Sequence, residues 1–309
     1  MGLNLKDYLS EIEMGEMQRH QNIAVMPLFI KDEGRIDYLT LKEALDKKAI
    51  SVNEVSETGS VPELIVDVND DVNVLILDGE ELFGAKQNRI LNTSVLLWGK
   101  SSFTVPVSCA EQGRWHHVSR SFHDSGNEAD YAVRMAKNIS VSHNLRSKMG
   151  YRSDQGEVWA CISDLQMKAK VMSPTRAMRD VYENKKNELD GYLNTFELKP
   201  GQRGMLVFIN GEVAGLDIVS RDKAYRVYQD KLLRSYCIHA VYHSKQDNRE
   251  PDPAKAKEFL ERISGSRESK YKSVGRGDDY RFEGQGFTGA ALEVEGEVLH
   301  MAFLSTARL

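Results

Sequence analysis

Six polar residues set between two apolar runs are the part of this sequence best equipped for chemistry. They are Glu80, Glu81, Lys86, Gln87, Asn88 and Arg89, inside VLILDGEELFGAKQNRILNTSVLL from Val74 to Leu97. Along a strand, alternate side chains share a face, so Lys86 and Asn88 point one way and Gln87 and Arg89 the other. Ile90 and Leu91 continue the two sets, which puts one polar pair on a face that turns apolar further along. A buried amide or guanidinium without a partner is costly. The partner is either Glu80 or Glu81, or a ligand whose carboxylate or phosphate oxygens Arg89 can hold through two parallel hydrogen bonds. The plainer alternative is an edge strand whose Lys and Arg discourage aggregation.

A second group follows in CAEQGRWHH, from Cys109 to His117. Trp115 could stack on a planar ligand, Arg114 could pair with anionic oxygens, and Glu111 or a histidine could move protons. His116 and His117 are a weak metal signal because adjacent side chains diverge, and a third ligand such as Glu111 or His123 would be required. For the histidines alone a surface loop is the simpler reading. Cys109 ends an apolar strand and reads as a core thiol rather than a nucleophile.

The third group is Gly201-Gln202-Arg203-Gly204 ahead of a strand, followed by Asn210-Gly211-Glu212 and Asp217. The glycines allow close backbone approach, but no phosphate-binding loop or dinucleotide fingerprint is present. Tyr225, Tyr228, Tyr236 and Tyr242 alternate with Arg226, Lys231 and Arg234 on one expected helix. That pattern fits a packed amphipathic helix better than a single-strand nucleic-acid platform.

The elements that must position these groups read as α+β. The chain has 309 residues, 41 basic and 46 acidic, for a net charge of −5. This balance gives no broad pull toward nucleic acid or an anionic membrane. No apolar run is long enough to span a bilayer and no secretory leader is evident, and the three scattered cysteines suggest a reducing, cytoplasmic setting. Residues 3 to 18 read as an amphipathic helix, and Asn22 to Ile30 as a strand with Pro27 near an edge. Thr40 and Glu43 form a capping box for a helix to about Lys48. Short loops then separate strands over 50–55, 63–68, 72–77, 81–85, 89–97 and 103–109, which favours antiparallel pairing. Helices are expected over 127–149, 155–170 and, capped by Ser173 with Pro174 in its first turn, 173–194. A hairpin turns at Asn210-Gly211, a helix covers 222–243, and another covers 253–263. Closing strands lie near 270–274, 280–282, 288–294 and 297–304. Turns or loops are expected at 31–34, 57–60 and 244–253. The whole reads as one α+β domain over 1–309, with a largely antiparallel β core in 20–115 and 200–304, a helical insert over 127–196, and C-terminal helices and strands. VLILDGEELFGA, MLVFINGEVAGL and ALEVEGEVLHMA each set x-Gly-Glu between apolar runs, the signature of independent type I′ hairpins or of a duplicated β unit.

Three stretches, LDGEELFGAKQNRILNTSVL, VPVSCAEQGRW and KPGQRGMLVFINGEVAGLDI, resemble the prokaryotic family of ARG and Rhodanese-Phosphatase-superfamily-associated protein domains, from about residue 15 to the C-terminus. ARG denotes ADP-ribosylglycohydrolases. The resemblance therefore implies genomic company with ADP-ribose and phosphate-ester chemistry without fixing a reaction. The positions it marks as family-typical include Glu80, the run from Lys86 to Arg89, Glu111, Arg114, Trp115 and Asp217.

Together these readings lead to an expected function: binding of an ADP-ribose- or nucleotide-like small molecule, with hydrolysis as its extension. Arg89 and Arg114 would meet phosphate, Trp115 would stack on a base, and Glu80 or Glu111 would act as general base. Lys86, Gln87, Asn88 and Asp217 would complete the ligand contacts. No metal is assigned and no cofactor is identified. The alternative is a non-enzymatic protein-interaction module whose polar strand pairs with a partner's edge.

Overall fold

The computed structural model describes residues 2–31, 34–56, 60–242 and 249–307. The turn expected at 31–34, the loop at 57–60 and the linker over 244–253 lie wholly or partly outside them, as does the last residue of the 222–243 helix. The fold is α+β with mostly antiparallel sheets. The chain gathers into two compact units, one from residues 1–36, 187–272 and 277–309, the other from 37–186 and 273–276. The helical segment read over 127–196 is shared between them. No helix among the described residues is long and apolar enough to cross a membrane.

The first unit holds a nine-stranded antiparallel sheet. Its middle is Ile23–Ile30, Gly204–Ile209, Glu212–Val219, Glu297–Ser305 and Phe287–Val294. Leu206, Phe208, Leu216, Phe282 and Phe303 form its core with Phe259 and Ile263 from the helix Pro253–Ser264. The helix Asp222–Tyr242 buries Tyr225, Tyr228 and Tyr236, so its aromatic stripe is packing surface. Asn210 and Gly211 both have positive φ (51° and 76°), as do Glu295 and Gly296 (52° and 81°). These are the dihedrals a type I′ hairpin requires. At Asp78-Gly79 only the glycine is positive, so the third x-Gly-Glu is a different turn.

The N-terminal helix is shorter than its periodicity suggests. It spans Leu5–Ser10, and Ile12–Met14 and Gln18–His20 then pair with Ile23–Ile30. Pro27 sits inside the sheet, not near its edge. It faces the gap between those two short strands, where a missing N–H leaves no ladder bond unmade.

The second unit holds a six-stranded antiparallel sheet in the order Phe122–Glu128, Glu80–Gly84, Arg89–Leu91, Ser101–Cys109, Glu63–Val68 and Ile50–Glu54. Its outer strands approach each other, with the Ser121 hydroxyl donating to Asn53 Oδ1 at 2.8 Å, so the sheet curls toward a barrel. Leu64, Val66, Leu82, Leu91, Val107 and Phe122 fill the interior. A smaller sheet joins Val95–Leu97, Val74–Ile76 and Leu39–Thr40, the last pair in parallel. Thr40 caps the helix Leu41–Asp46 in the capping box with Glu43. Helices Tyr131–Arg146, Gln155–Ala169 and Arg179–Asn184 belong to this unit. The third expected helix starts late: Ser173 accepts from the Ala177 N–H, but helical geometry begins at Arg179.

Candidate functional site

Two corrections concern the polar run. Lys86, Gln87 and Asn88 do not lie in a strand; they form the bend between Glu80–Gly84 and Arg89–Leu91. Gly84 and Ala85 drive the bend with φ of 118° and 37°. Arg89 is not on an edge either, because its strand pairs with Glu80–Gly84 on one side and Ser101–Cys109 on the other.

Arg114 holds this bend in place. Its Nε and Nη2 donate to Glu111 Oε1 and Oε2 at 2.9 and 2.6 Å. Nη1 donates to the Ala85 and His116 carbonyls, and Nη2 to the Gly84 carbonyl and Asn88 Oδ1. The Asn88 N–H donates to Glu111 Oε2 at 3.1 Å. Burial pushes the Glu111 carboxyl up, but the bonds from Arg114, Thr175 and the Asn88 N–H outweigh it and hold the group below its ordinary range. Every nitrogen of the Arg114 guanidinium is engaged, which suits a clamp better than a ligand contact.

The interior end of the curled sheet is different. Arg89 pairs in register with Leu82 and Cys109 and shares their inward face. Glu54 enters from the opposite edge, two residues beyond the buried Val52. Arg89 is fully buried, with Nη2 3.8 Å from Glu54 Oε1. Its Nη1 donates to Gln87 Oε1 at 3.0 Å. Its Nε and Nη2, and Glu54 Oε2, have no hydrogen-bond partner among the described residues. Above them lies the half-exposed Trp115 ring, 5.4 Å from Lys86 Nζ and 5.7 Å from the Arg89 Cζ. Burial raises the Cys109 thiol in the same interior, which fits a core thiol. His116 and His117 are exposed.

Of the expected residues, the structure brings Lys86, Gln87, Asn88, Arg89, Glu111, Arg114 and Trp115 into one neighbourhood. Glu80 is buried at the turn below, where it accepts from the Leu77 N–H at 2.8 Å. Asp217 belongs to the first unit, where it accepts from the Tyr236 hydroxyl at 2.7 Å and lies 3.7 Å from His300 Nε2. Cavities of about 520 Å³, bordered by Asn4, Tyr8 and Arg35, and of about 410 Å³, bordered by Tyr38, Asn73 and Trp98, lie elsewhere.

Sequence reasoning passed over Glu54 and a basic pair on a helix, and it named Glu81 without its burial. Glu54 lies on a short alternating strand with nothing local to mark it. Glu81 is fully buried, and burial lifts its carboxyl from 4.5 to about 7, against smaller opposing effects of Ser125, Arg179 and Asn127. Lys137 and Arg134 come from the helix Tyr131–Arg146. Lys137 meets Asp78, and Arg134 Nε lies 3.9 Å from Glu128 Oε1, which ties the helix to the Asp78-Gly79 turn. An i, i+3 basic pair on a helix was the only sequence signal for them. Among the described residues no group of three or more His, Cys, Asp or Glu could hold a metal.

Neither the curated proteins nor the solved structures provide a match to this chain. The model of one family matches residues 11–304, nearly the whole length. The chain belongs to the ARPP-1 family, the ARG and Rhodanese-Phosphatase-superfamily-associated Protein domain.

Proposed function

We propose that the mouth of the curled sheet binds an anionic, nucleotide-like small molecule of the ADP-ribose kind. The carrying observation is the Arg89 guanidinium, which is buried with two of its nitrogens lacking a hydrogen bond among the described residues. A buried cationic donor left without an acceptor is expensive, and a phosphate supplies two acceptors in the geometry of the fork. Lys86 adds a second positive charge beside it, and Trp115 offers a π-face for a base. The family's name, which associates the domain with ARG, supports the same ligand class.

Binding requires Trp115 to move aside, since Arg89 is closed from solvent. Residues 115–118 are exposed, so the Trp115 ring can swing outward while Arg114 stays in place. Glu111 and Arg114 keep the Lys86–Asn88 bend fixed, and Glu54 is the carboxylate placed to accept a proton beside the bound phosphate if hydrolysis follows. Asp217 has no part in this reading.

The test is calorimetric titration of ADP-ribose, NAD and ADP, with tryptophan fluorescence recorded in parallel. Saturable binding that changes the emission and weakens about tenfold or more in Arg89→Lys, which keeps the charge but not the fork, supports the site. No binding across the panel, or equal binding to Arg89→Lys, overturns it.

A further inference from the structure

The opposite face of the same strand pair carries a second unmet demand. Glu81 pairs in register with Ile90, so it projects away from the interior that Arg89 and Leu82 share. It is fully buried, and neither carboxylate oxygen completes a hydrogen bond among the described residues. Ser125 and Asn127 lie near enough to influence it without reaching it in hydrogen-bond geometry. Both come from an irregularity in the Phe122–Glu128 strand, whose pairing with Glu80–Gly84 slips between Asp124 and Glu128. A bulge of this sort re-aims side chains, and a Cβ at its Gly126 would meet none of the described residues within 4 Å.

Phe83 follows Glu81 on this face. The Arg179 guanidinium lies over its ring at 4.0 Å. Arg179 is partly exposed, and its ion pair with Glu183, at 3.1 Å, lies on the surface. Such a pair contributes little, so the guanidinium can be redirected at small cost. The floor of this face is therefore a carboxylate that needs donors, and two residues along the strand stands a cation that can be spared. Two residues of strand is about 7 Å, comparable to the reach from the vicinal hydroxyls of a ribose to its 5′-phosphate. A vicinal diol donates two hydrogen bonds to one carboxylate, and the Ser125 hydroxyl and Asn127 amide stand beside it as further polar partners.

We propose that Glu81 and Arg179 form a second ligand site on the outer face of this sheet, taking the diol of a ribose phosphate on Glu81 and its phosphate on Arg179. The site goes beyond the mouth reading and shares none of its residues.

The experiment is calorimetric titration of the full chain with ribose 5-phosphate and with 2-deoxyribose 5-phosphate, at a pH above about 7 where Glu81 is ionised. Ribose 5-phosphate should bind about tenfold or more tightly than the deoxy sugar, since one donor to a buried carboxylate is lost. Glu81→Gln, which keeps the shape and removes the charge, and Arg179→Ala, at a partly exposed position, should each cost about tenfold or more. Equal affinity for the two sugars, no saturable binding, or binding indifferent to both substitutions overturns the proposal. The deoxy comparison requires no variant to fold. Failure here leaves the ADP-ribose titration of the mouth standing, because that one is read through Arg89 and Trp115.

Discussion

Arg89 and Glu54 face each other across the interior of the curled sheet at 3.8 Å, both almost fully buried, without a hydrogen bond between them. The separation is short enough for strong attraction in a low-dielectric interior and too long for directional bonding. Removing either partner alone leaves the other charge uncompensated. Arg89→Met should destabilise the chain by about 3–5 kcal/mol, and Arg89→Met combined with Glu54→Gln should recover most of that. Urea unfolding of the two variants checks it. A double variant no more stable than the single one would mean that the pair does not interact.

The Glu81 carboxyl sets a pH dependence with a definite sign. Its proton is held to about 7 in the folded chain against an ordinary 4.5. Below 4.5 both folded and unfolded chains carry the proton, and the stabilising contribution is complete. Between 4.5 and 7 the unfolded chain releases a proton that the folded chain keeps, so stability falls as pH rises, by about 3 kcal/mol once past 7. Glu81→Gln should flatten this fall. Melting temperatures at a series of pH values, wild type beside variant, provide the measurement.

Arg114 should tolerate no substitute. Lysine cannot span two Glu111 oxygens, three carbonyls and the Asn88 amide. Arg114→Lys should cost about 3 kcal/mol or more by leaving Glu111 partly unmatched. It should also shift the tryptophan emission, since Arg114 anchors the Lys86–Asn88 bend that lies against Trp115. Denaturant titration followed by fluorescence reads both effects at once.

Glycines with positive φ should separate into two groups. At Gly150 (φ 76°) a Cβ meets none of the described residues within 4 Å, and Gly150→Ala should cost about 1 kcal/mol of backbone strain alone. At Gly79 (φ 97°) a Cβ would run into the buried Glu128 carboxylate. Gly79→Ala should cost at least twice as much, as thermal unfolding of the two variants would show.

Features set by neighbours in sequence were legible in advance. The Thr40–Glu43 capping box and the Asn210-Gly211 hairpin are decided within four residues, and both stand as read. The antiparallel character followed from loop length. Features set by distant contacts were not legible. Phe122–Glu128, FHDSGNE, shows no apolar alternation and is a strand only because Glu80–Gly84 gives it a ladder. Residues 11–20 have helical spacing, yet Ile12–Met14 gains more by pairing with Leu28–Ile30 than a helix would. Of the mouth, Arg89 and Trp115 were visible by type. Glu54 was not, because its role depends on the sheet closing upon itself.

The second unit draws one piece of its structure from far along the chain. Residues 273–276 return to it, with the Arg276 N–H donating to the Leu96 carbonyl at 2.8 Å. During synthesis the Leu96 edge therefore waits for its last partner while nearly two hundred further residues leave the ribosome. Until then Val95–Leu97, an apolar strand, stays open on that side, and a chaperone would have its clearest reason to hold the nascent chain there.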